Sequence, residues 1–425
     1  MENAWTTGAA GESGDTVADI ESFYADDVPF YSNVHSQIMP ERMAFVAALN
    51  GFNPPRPHGA FRYCDLGCGN GITANAIAAI RPDAQVYGID FNQGHIDEAR
   101  ETAEAAGLHN VTFICSGFES VDAAALPTFD FVGMNGIYSW LDRGALDAVP
   151  TPRQQRLRPG GLFCVEFMTM PGMLAVMPLW QLLQALVPPT GADSRERARR
   201  ALRILKELGE AGLGYFAQYP PALRAAKRYL TRLDSDPSWI DHFAHNALAG
   251  GFQPRYINEV CAELGEVGMA YAGRMRERLN DPDLATNARQ ATILNGIEDA
   301  PTRELLTDFM RNESNRHALF VKEGVPDAAG ACDYLLHGAG FTLYDADKPV
   351  ERVLRIPGGR EVSLAGPVYD LGFHPQFYTY NHVFGGVLGP IYDEQLAVRP
   401  GLFAFRGLTL LWAACAGLVG RLVRG

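Results

Sequence analysis

Two acids and a run of glycines carry the first chemistry that the sequence suggests. In "CDLGCGNG" (64–71), Asp65 stands at the tip of an apolar run, and Gly67, Gly69 and Gly71 follow in a turn that enters the helical pattern "ITANAIAAI". Glycines there permit positive φ and a close backbone approach to a ligand that a Cβ would hold away. Asp90 closes a second apolar run, "AQVYGID". An acid at that neighbouring strand end is placed to accept from both hydroxyls of a ribose, and Asp65 is placed near a ligand's ammonium group. The spacing is GxGxG behind a leading acid, which separates it from the GxGxxG turn of dinucleotide enzymes. A helix cap or a solvated loop is the plain alternative for either acid, and the joint spacing argues against it.

These residues need strand ends to stand on, and the chain supplies them. Residues 61–170 alternate short apolar runs with helical patterns, the rhythm of a parallel α/β sheet. Strands are expected at Phe61–Leu66, Gln85–Asp90, Val111–Ser116, Phe129–Met134 and Leu162–Phe167, with "RPGG" (158–161) as a tight turn into the fifth. The expected fold class is α/β, a Rossmann-like doubly wound sheet. The expected divisions are an N-terminal segment (1–38) covering the site, a ligand-binding core (39–170), a helical insertion (171–253), completion of the core sheet (254–322) and a C-terminal appendix (323–425). "NRHALFVKE" (315–323) reads as a late strand, and "RVLRIPGGREVSL" as a hairpin within the appendix.

Composition narrows the function. At 425 residues with 47% hydrophobic and 20% charged residues, the chain is a folded protein of more than one packed unit. A net charge of −13 argues against sequence-independent binding to nucleic acid. The seven cysteines are scattered without a CxxC pair, so buried free thiols and a cytoplasmic setting are expected, with no metal site. His242 and His245 near Asp241 read as a surface helix, and the basic stretch 195–206 as a solvated helix face. The segment 408–423 is apolar but too short for a membrane span and reads as a packed or interfacial helix. The aromatic tract 373–384 reads as packing of the appendix.

The motifs "DLGCGNG", "GIDFNQGHIDEAR", "FDFVGMNGIYSW" and "LRPGGLFCVEF" resemble those of class I methyltransferases that use S-adenosylmethionine. More narrowly, "DDVPF", "PERMA", "GIYSW", "MTMPGM", "INEVCAELGEVGMAYAGR" and "DFMRNESNRHALFVK" resemble the bacterial, rickettsial-type protein lysine methyltransferases that carry a methyltransferase regulatory domain, over about residues 25–325. The resemblance implies S-adenosylmethionine as cofactor. It would be held by Asp65, Gly67, Cys68 and Gly69 at the first turn, by Asp90 and Phe91 at the second strand, by Ser116, Gly117 and Phe118 after the third, and by Asn135 after the fourth. Gln37 and Tyr31 are candidates to cover it, and Tyr31 with His35 to face the substrate. The family often has an acid for the adenine amino group where this chain reads Cys115-Ser116-Gly117-Phe118, and its early Tyr/Pro/Phe-rich segment becomes Asn33, Val34 and His35 here.

Methyl transfer from a sulfonium is in line, so positioning supplies much of the rate, roughly 7–11 kcal/mol in favourable cases. A lysine acceptor, with a reference pKa of about 10.4, pays roughly 4.6 kcal/mol to be neutral at pH 7, which an apolar pocket beside a sulfonium reduces. The stretch "GMNGIYSW" (133–140) is the loop such enzymes present beside the methyl group. Tyr138 and Trp140 are the candidate catalytic residues there, since aromatic faces attract ammonium groups by roughly 0.5–2 kcal/mol. The alternative is that Trp140 packs as core. The leading expectation is methylation of lysine side chains in a protein or peptide, with possible partners limited to that substrate, a small-molecule acceptor or a second copy in a homodimer. The alternatives are a small-molecule N-, O- or S-methyltransferase and a non-catalytic cofactor-sensing module.

Overall fold

The computed structural model describes residues 27–28, 33–118, 120, 125–141, 156–189, 193–236 and 239–335, with short strand pieces between 340 and 404. The segment 1–26, Tyr31, the tract 373–384, the stretch 408–423 and Cys415 lie outside the described residues.

Apolar runs buried on both faces become the strands of one seven-stranded sheet: β1 (Arg62–Leu66), β2 (Gln85–Asp90), β3 (Val111–Cys115), β4 (Phe129–Met134), β5 (Leu157–Met168), β6 (Met269–Arg274) and β7 (Asn315–Lys322). Their order is β3-β2-β1-β4-β5-β7-β6, with β1 to β5 parallel and β7 antiparallel to both neighbours. The strand order reverses between β1 and β4, and ligands of such sheets bind outside the carboxyl ends at that point.

One face is covered by α1 (Pro40–Leu49), α2 (Ile72–Ile80) and α3 (Gln93–Ala105), whose Met43, Ile77 and Ala99 share a core with Phe113 and Phe131. Pro40 opens α1 at a position whose missing N–H costs nothing, and Asn92 caps α3 by accepting from His95 N. Between β5 and β6 come α4 (Met177–Leu186), α5 (Ser194–Glu210), α6 (Gly214–Gln218), α7 (Pro220–Ser235) and α8 (Trp239–Ala247), which bury a core of their own around Trp180, Leu202, Phe216 and Phe243. α5 buries Ala198, Ala201, Leu202 and Leu205 on one stripe, and its basic side pairs on the surface, Arg199 and Arg203 with Glu196 and Arg195 with Asp241. Then α9 (Ile257–Gly265) covers the second face of the sheet through Val260 and Leu264.

α10 (Pro282–Ala285), α11 (Ala288–Asn295) and α12 (Ala300–Arg311) lie between β6 and β7. Buried charges dock α12 on the sheet. Arg274 of β6 reaches Glu304 and Asp308 at 2.6 Å each, and Arg316 of β7 reaches Asp308 at 2.8 Å and also pairs with Glu304.

Residues 158–161 lie inside the span of β5, where the chain departs from regular pairing as the glycine turn expects: Gly160 takes φ +75, and the register against β4 passes from Phe129–Leu157 to Phe131–Leu162. One expectation is corrected. The helix holding His242 and His245 is a surface helix on one side only: His242 is exposed, whereas Trp239, Ile240, Phe243 and Ala244 are buried on the stripe facing the insertion's core and His245, round the helix from them, is buried with Nε2 3.1 Å from Val28 O. In the appendix, Val353–Ile356 and Arg360–Ser363 pair antiparallel, as the hairpin reading expects.

Candidate active site

The sheet register assembles the site. Ile89, Leu66, Met134, Val165 and Ala318 form one row across β2, β1, β4, β5 and β7. One residue beyond, towards the carboxyl ends of the parallel strands, stand Asp90, Gly67, Asn135 and Glu166, with His317 paired to Glu166.

At the first turn, the N–H groups of Gly67 and Cys68 both donate to Ile89 O, at 2.8 and 3.1 Å. Asp90 braces this turn and its own: Oδ2 accepts from Gly69 N and Oδ1 from Asn92 N, both at 2.9 Å. Gly67 has φ +69, and a Cβ there would stand 2.6 Å from Ile137 Cδ1, so the turn and the loop after β4 touch through this glycine. A Cβ on Gly69 or Gly117 would meet nothing within 4 Å, which leaves room for a ligand above both.

Asp65 is only 3% exposed, and among the described residues no hydrogen-bond donor or cation reaches its carboxylate. Burial first, and the nearby Asp90 second, push its pKa up to about 7. A buried acid in that condition fits the ammonium of an amino-acid ligand. The residues present therefore suit S-adenosylmethionine: a cation partner at Asp65, ribose acceptors at Asp90, and open space over the glycines.

Beyond β3, Ser116 N donates to Asp90 O at 2.9 Å, and Ser116 Oγ donates to Gly117 O at 3.0 Å, so that hydroxyl proton is committed to the loop. Phe91 is 45% exposed beside Asp90, whereas Phe118 is partly buried against the sheet core. Cys68 is partly buried, with its thiol 3.5 Å from Gly69 O.

The N-terminal segment crosses this end of the sheet. His35 N donates to Thr73 Oγ1 at 3.0 Å, Ile38 is fully buried, and Gln37 is partly buried with its carbonyl 3.6 Å from Cys164 Sγ. His35 Nδ1 lies 3.3 Å from Asn135 Nδ2.

The loop after β4 is held from beneath. Gly136 takes φ +81, a conformation that favours glycine, and donates its N–H to Glu166 Oε2 at 2.8 Å. Glu166 also accepts from Asn315 Nδ2. Burial raises its pKa to about 7 against the pull of those two donors. Asn135 Oδ1 lies 2.8 Å from His317 Nε2.

Both aromatic residues of the loop are engaged by packing, which for Trp140 is the alternative that the sequence reading kept open. Tyr138 is 4% exposed, its hydroxyl donates to Glu263 Oε2 at 3.1 Å, and its ring lies 5.9 Å from that of Phe167. Trp140 packs 5.4 Å from Phe252, which lies 4.7 Å from Trp180 in the core of the helical insertion. Glu166, Asn315 and His317 were not singled out from sequence. The trace they leave is three polar residues inside apolar strand runs, "CVEF" and "NRHALFV". Among the described residues, no group of three or more His, Cys, Asp or Glu side chains is arranged to hold a metal ion.

Comparison with known proteins agrees with this geometry. Residues 57–185 match a family described as a methyltransferase domain, and residues 241–322 one described as a predicted methyltransferase regulatory domain. An uncharacterized protein of Synechocystis sp. is 31% identical over 352 residues, 81% of this chain and 67% of the relative. An uncharacterized protein of Rickettsia prowazekii is 27% identical over 147 residues, 35% of this chain, and the match spans 58% of that relative's length. Among solved structures, PKMT2 from Rickettsia typhi in complex with AdoHcy shares the fold at a TM-score of 0.62 with 18% identity, covering 87% of this chain and 75% of that one. The chain belongs to the class I S-adenosylmethionine-dependent methyltransferases, in the group whose methyltransferase domain is joined to a methyltransferase regulatory domain.

Proposed function

We propose that the chain transfers the methyl group of S-adenosylmethionine to the side-chain amine of lysine in a protein or peptide, in the cytoplasm. The bound cofactor supplies an electrophilic methyl on sulfur. The chain's own task is to hold that molecule at Asp65 and Asp90 and to present an uncharged amine in line with it.

The observation that carries the reading is an acceptor end lined, among the described residues, by neutral imidazoles and an amide, with its neighbouring guanidinium groups paired elsewhere. Burial lowers the pKa of His35, and it holds His317 at about 3 with help from the nearby His35, Arg276 and Arg42. Beside them stand the Asn135 amide and a Glu166 whose pKa is near 7. The adjacent cations are committed elsewhere, Arg42 to Glu277 and Arg276 to Glu313. Burial among neutral groups and beside a sulfonium lowers the pKa of an entering amine, whereas a carboxylate acceptor would call for a fixed cation there. The choice of lysine among amines draws on the resemblance of the motifs over residues 25–325 and on the shared fold of PKMT2.

The departures at Asn33, Val34 and His35 favour a second reading, a small-molecule acceptor. Incubating a cell lysate with the protein and methyl-labelled cofactor separates the two by mass spectrometry. Label on lysines of protein is expected; label confined to small metabolites rejects the lysine reading. Absence of any S-adenosylhomocysteine release would favour a cofactor-sensing module instead.

A further inference from the structure

The loop that faces the acceptor is held by a strand far along the chain. His317 meets Asn135 across 182 positions, and two residues earlier on the same strand Asn315 meets Glu166. Both lie within the segment matched to the regulatory domain.

The proton positions are set by the atoms in contact. An amide oxygen only accepts, so His317 Nε2 carries the proton it donates to Asn135 Oδ1 at 2.8 Å. An amide nitrogen only donates, so His35 Nδ1 accepts from Asn135 Nδ2 and keeps its own proton on Nε2. With Nδ2 on His35 and Oδ1 on His317, the amide cannot turn over, and its oxygen keeps its direction. The Oδ1 carbonyl retains a second lone pair, which can accept from an amine N–H. The backbone is fixed in parallel, since Glu166 accepts from Gly136 N–H and from Asn315.

We propose that His317 and Asn315 of β7 are positioning residues for methyl transfer: His317 locks the Asn135 amide with its oxygen towards β7, and Asn315 steadies the carboxylate that anchors Gly136. The assignment rests on the reading of residues 133–140 as the acceptor loop. It gives the regulatory domain a physical route to the reaction, through one strand that completes both the sheet and the loop's hydrogen bonds. Because burial keeps the His317 imidazole neutral, the lock persists across the range in which an enzyme would work.

The test combines proton position with kinetics. In long-range 1H–15N spectra of the labelled protein, assigned by comparison with His317→Leu, His317 is expected as the neutral Nε2–H tautomer from pH 5 to 8. His317→Leu is expected to lower S-adenosylhomocysteine release, with cell lysate as the acceptor pool, by about tenfold or more while cofactor affinity stays within about twofold. His317→Gln, which retains a donor, should restore most of that loss, and His317→Leu should add nothing in an Asn135→Ala background. A neutral Nδ1–H tautomer, or turnover in His317→Leu equal to wild type or falling only in step with cofactor affinity, overturns the lock. Asn135→Ala at wild-type turnover removes the acceptor-loop reading and the lock with it. A slow Asn135→Ala beside an unaffected His317→Leu removes the lock alone.

Discussion

Asp65 and Asp90 stand on adjacent strands, yet the fold treats them differently. Asp90 accepts from two backbone N–H groups, whereas Asp65 is buried without a donor among the described residues. With its folded pKa raised to about 7, Asp65 favours its neutral form in the empty protein, so its stabilising contribution is full below the usual carboxylate pKa of about 4 and is lost as pH rises through 7. An ammonium ligand demands the ionised form. Affinity for S-adenosylhomocysteine should therefore tighten by up to about tenfold per pH unit between pH 5 and 7 and flatten above, measured by calorimetry. Asp65→Asn should weaken binding at pH 8 and remove that slope; an unchanged slope would place the titrating group elsewhere. Asp90→Ala should cost about 1–3 kcal/mol of cofactor binding, since it removes charge-assisted bonds to ribose and to the Gly69 turn. Unchanged affinity in a folded variant contradicts that role. These two acids were legible in the sequence because their turn, glycines and strand tips are contiguous.

Elements explain what sequence could not show. Glu166, Asn315 and His317 reach the loop only through the β5–β7 register, and no local pattern reports a register between strands so far apart. The "RPGG" stretch has strong turn character, and the fold keeps it as a break in the β4–β5 register within β5 rather than as a loop before the strand. His245 looks polar and exposed in isolation, yet it is buried, with Val28 O as a partner. The partners of Tyr138 and Trp140, Glu263 and Phe252, come more than a hundred residues later, so no local pattern decided between packing and chemistry for the two aromatics. Tyr138→Phe is accordingly expected to cost about 1 kcal/mol in stability, read from denaturant unfolding, with little change in turnover. A large loss of turnover at unchanged stability would return the hydroxyl to the chemistry. Against the burial that would raise it, Arg274 and Arg316 hold the Glu304 carboxyl at about 2, so the docking of α12 keeps its charges above ordinary acid pH. Asp308→Ala strands part of two buried guanidinium groups and should destabilise by about 3–5 kcal/mol. A melting curve matching wild type would show that this network contributes little.

At the scale of the molecule, the doubly wound core could be read from the rhythm of apolar runs, because each βα step is local. The position of β7 between β5 and β6 could not, since it depends on a strand returning antiparallel after the insertion, β6 and the four helices α9 to α12. That return brings the segment matched to the regulatory domain into the sheet and places Asn315 and His317 beside the loop after β4. The C-terminal region after residue 335 contributes, among the described residues, only short strand pieces such as the hairpin of Val353–Ile356 with Arg360–Ser363. No helix among the described residues is long and apolar enough to cross a membrane.

The most direct measurement is a crystal structure of the protein grown with saturating S-adenosylhomocysteine. The account predicts the ribose hydroxyls on Asp90, the amino group beside Asp65, and the sulfur directed towards Asn135. Density for the ligand at another place, or none at saturation, would contradict it.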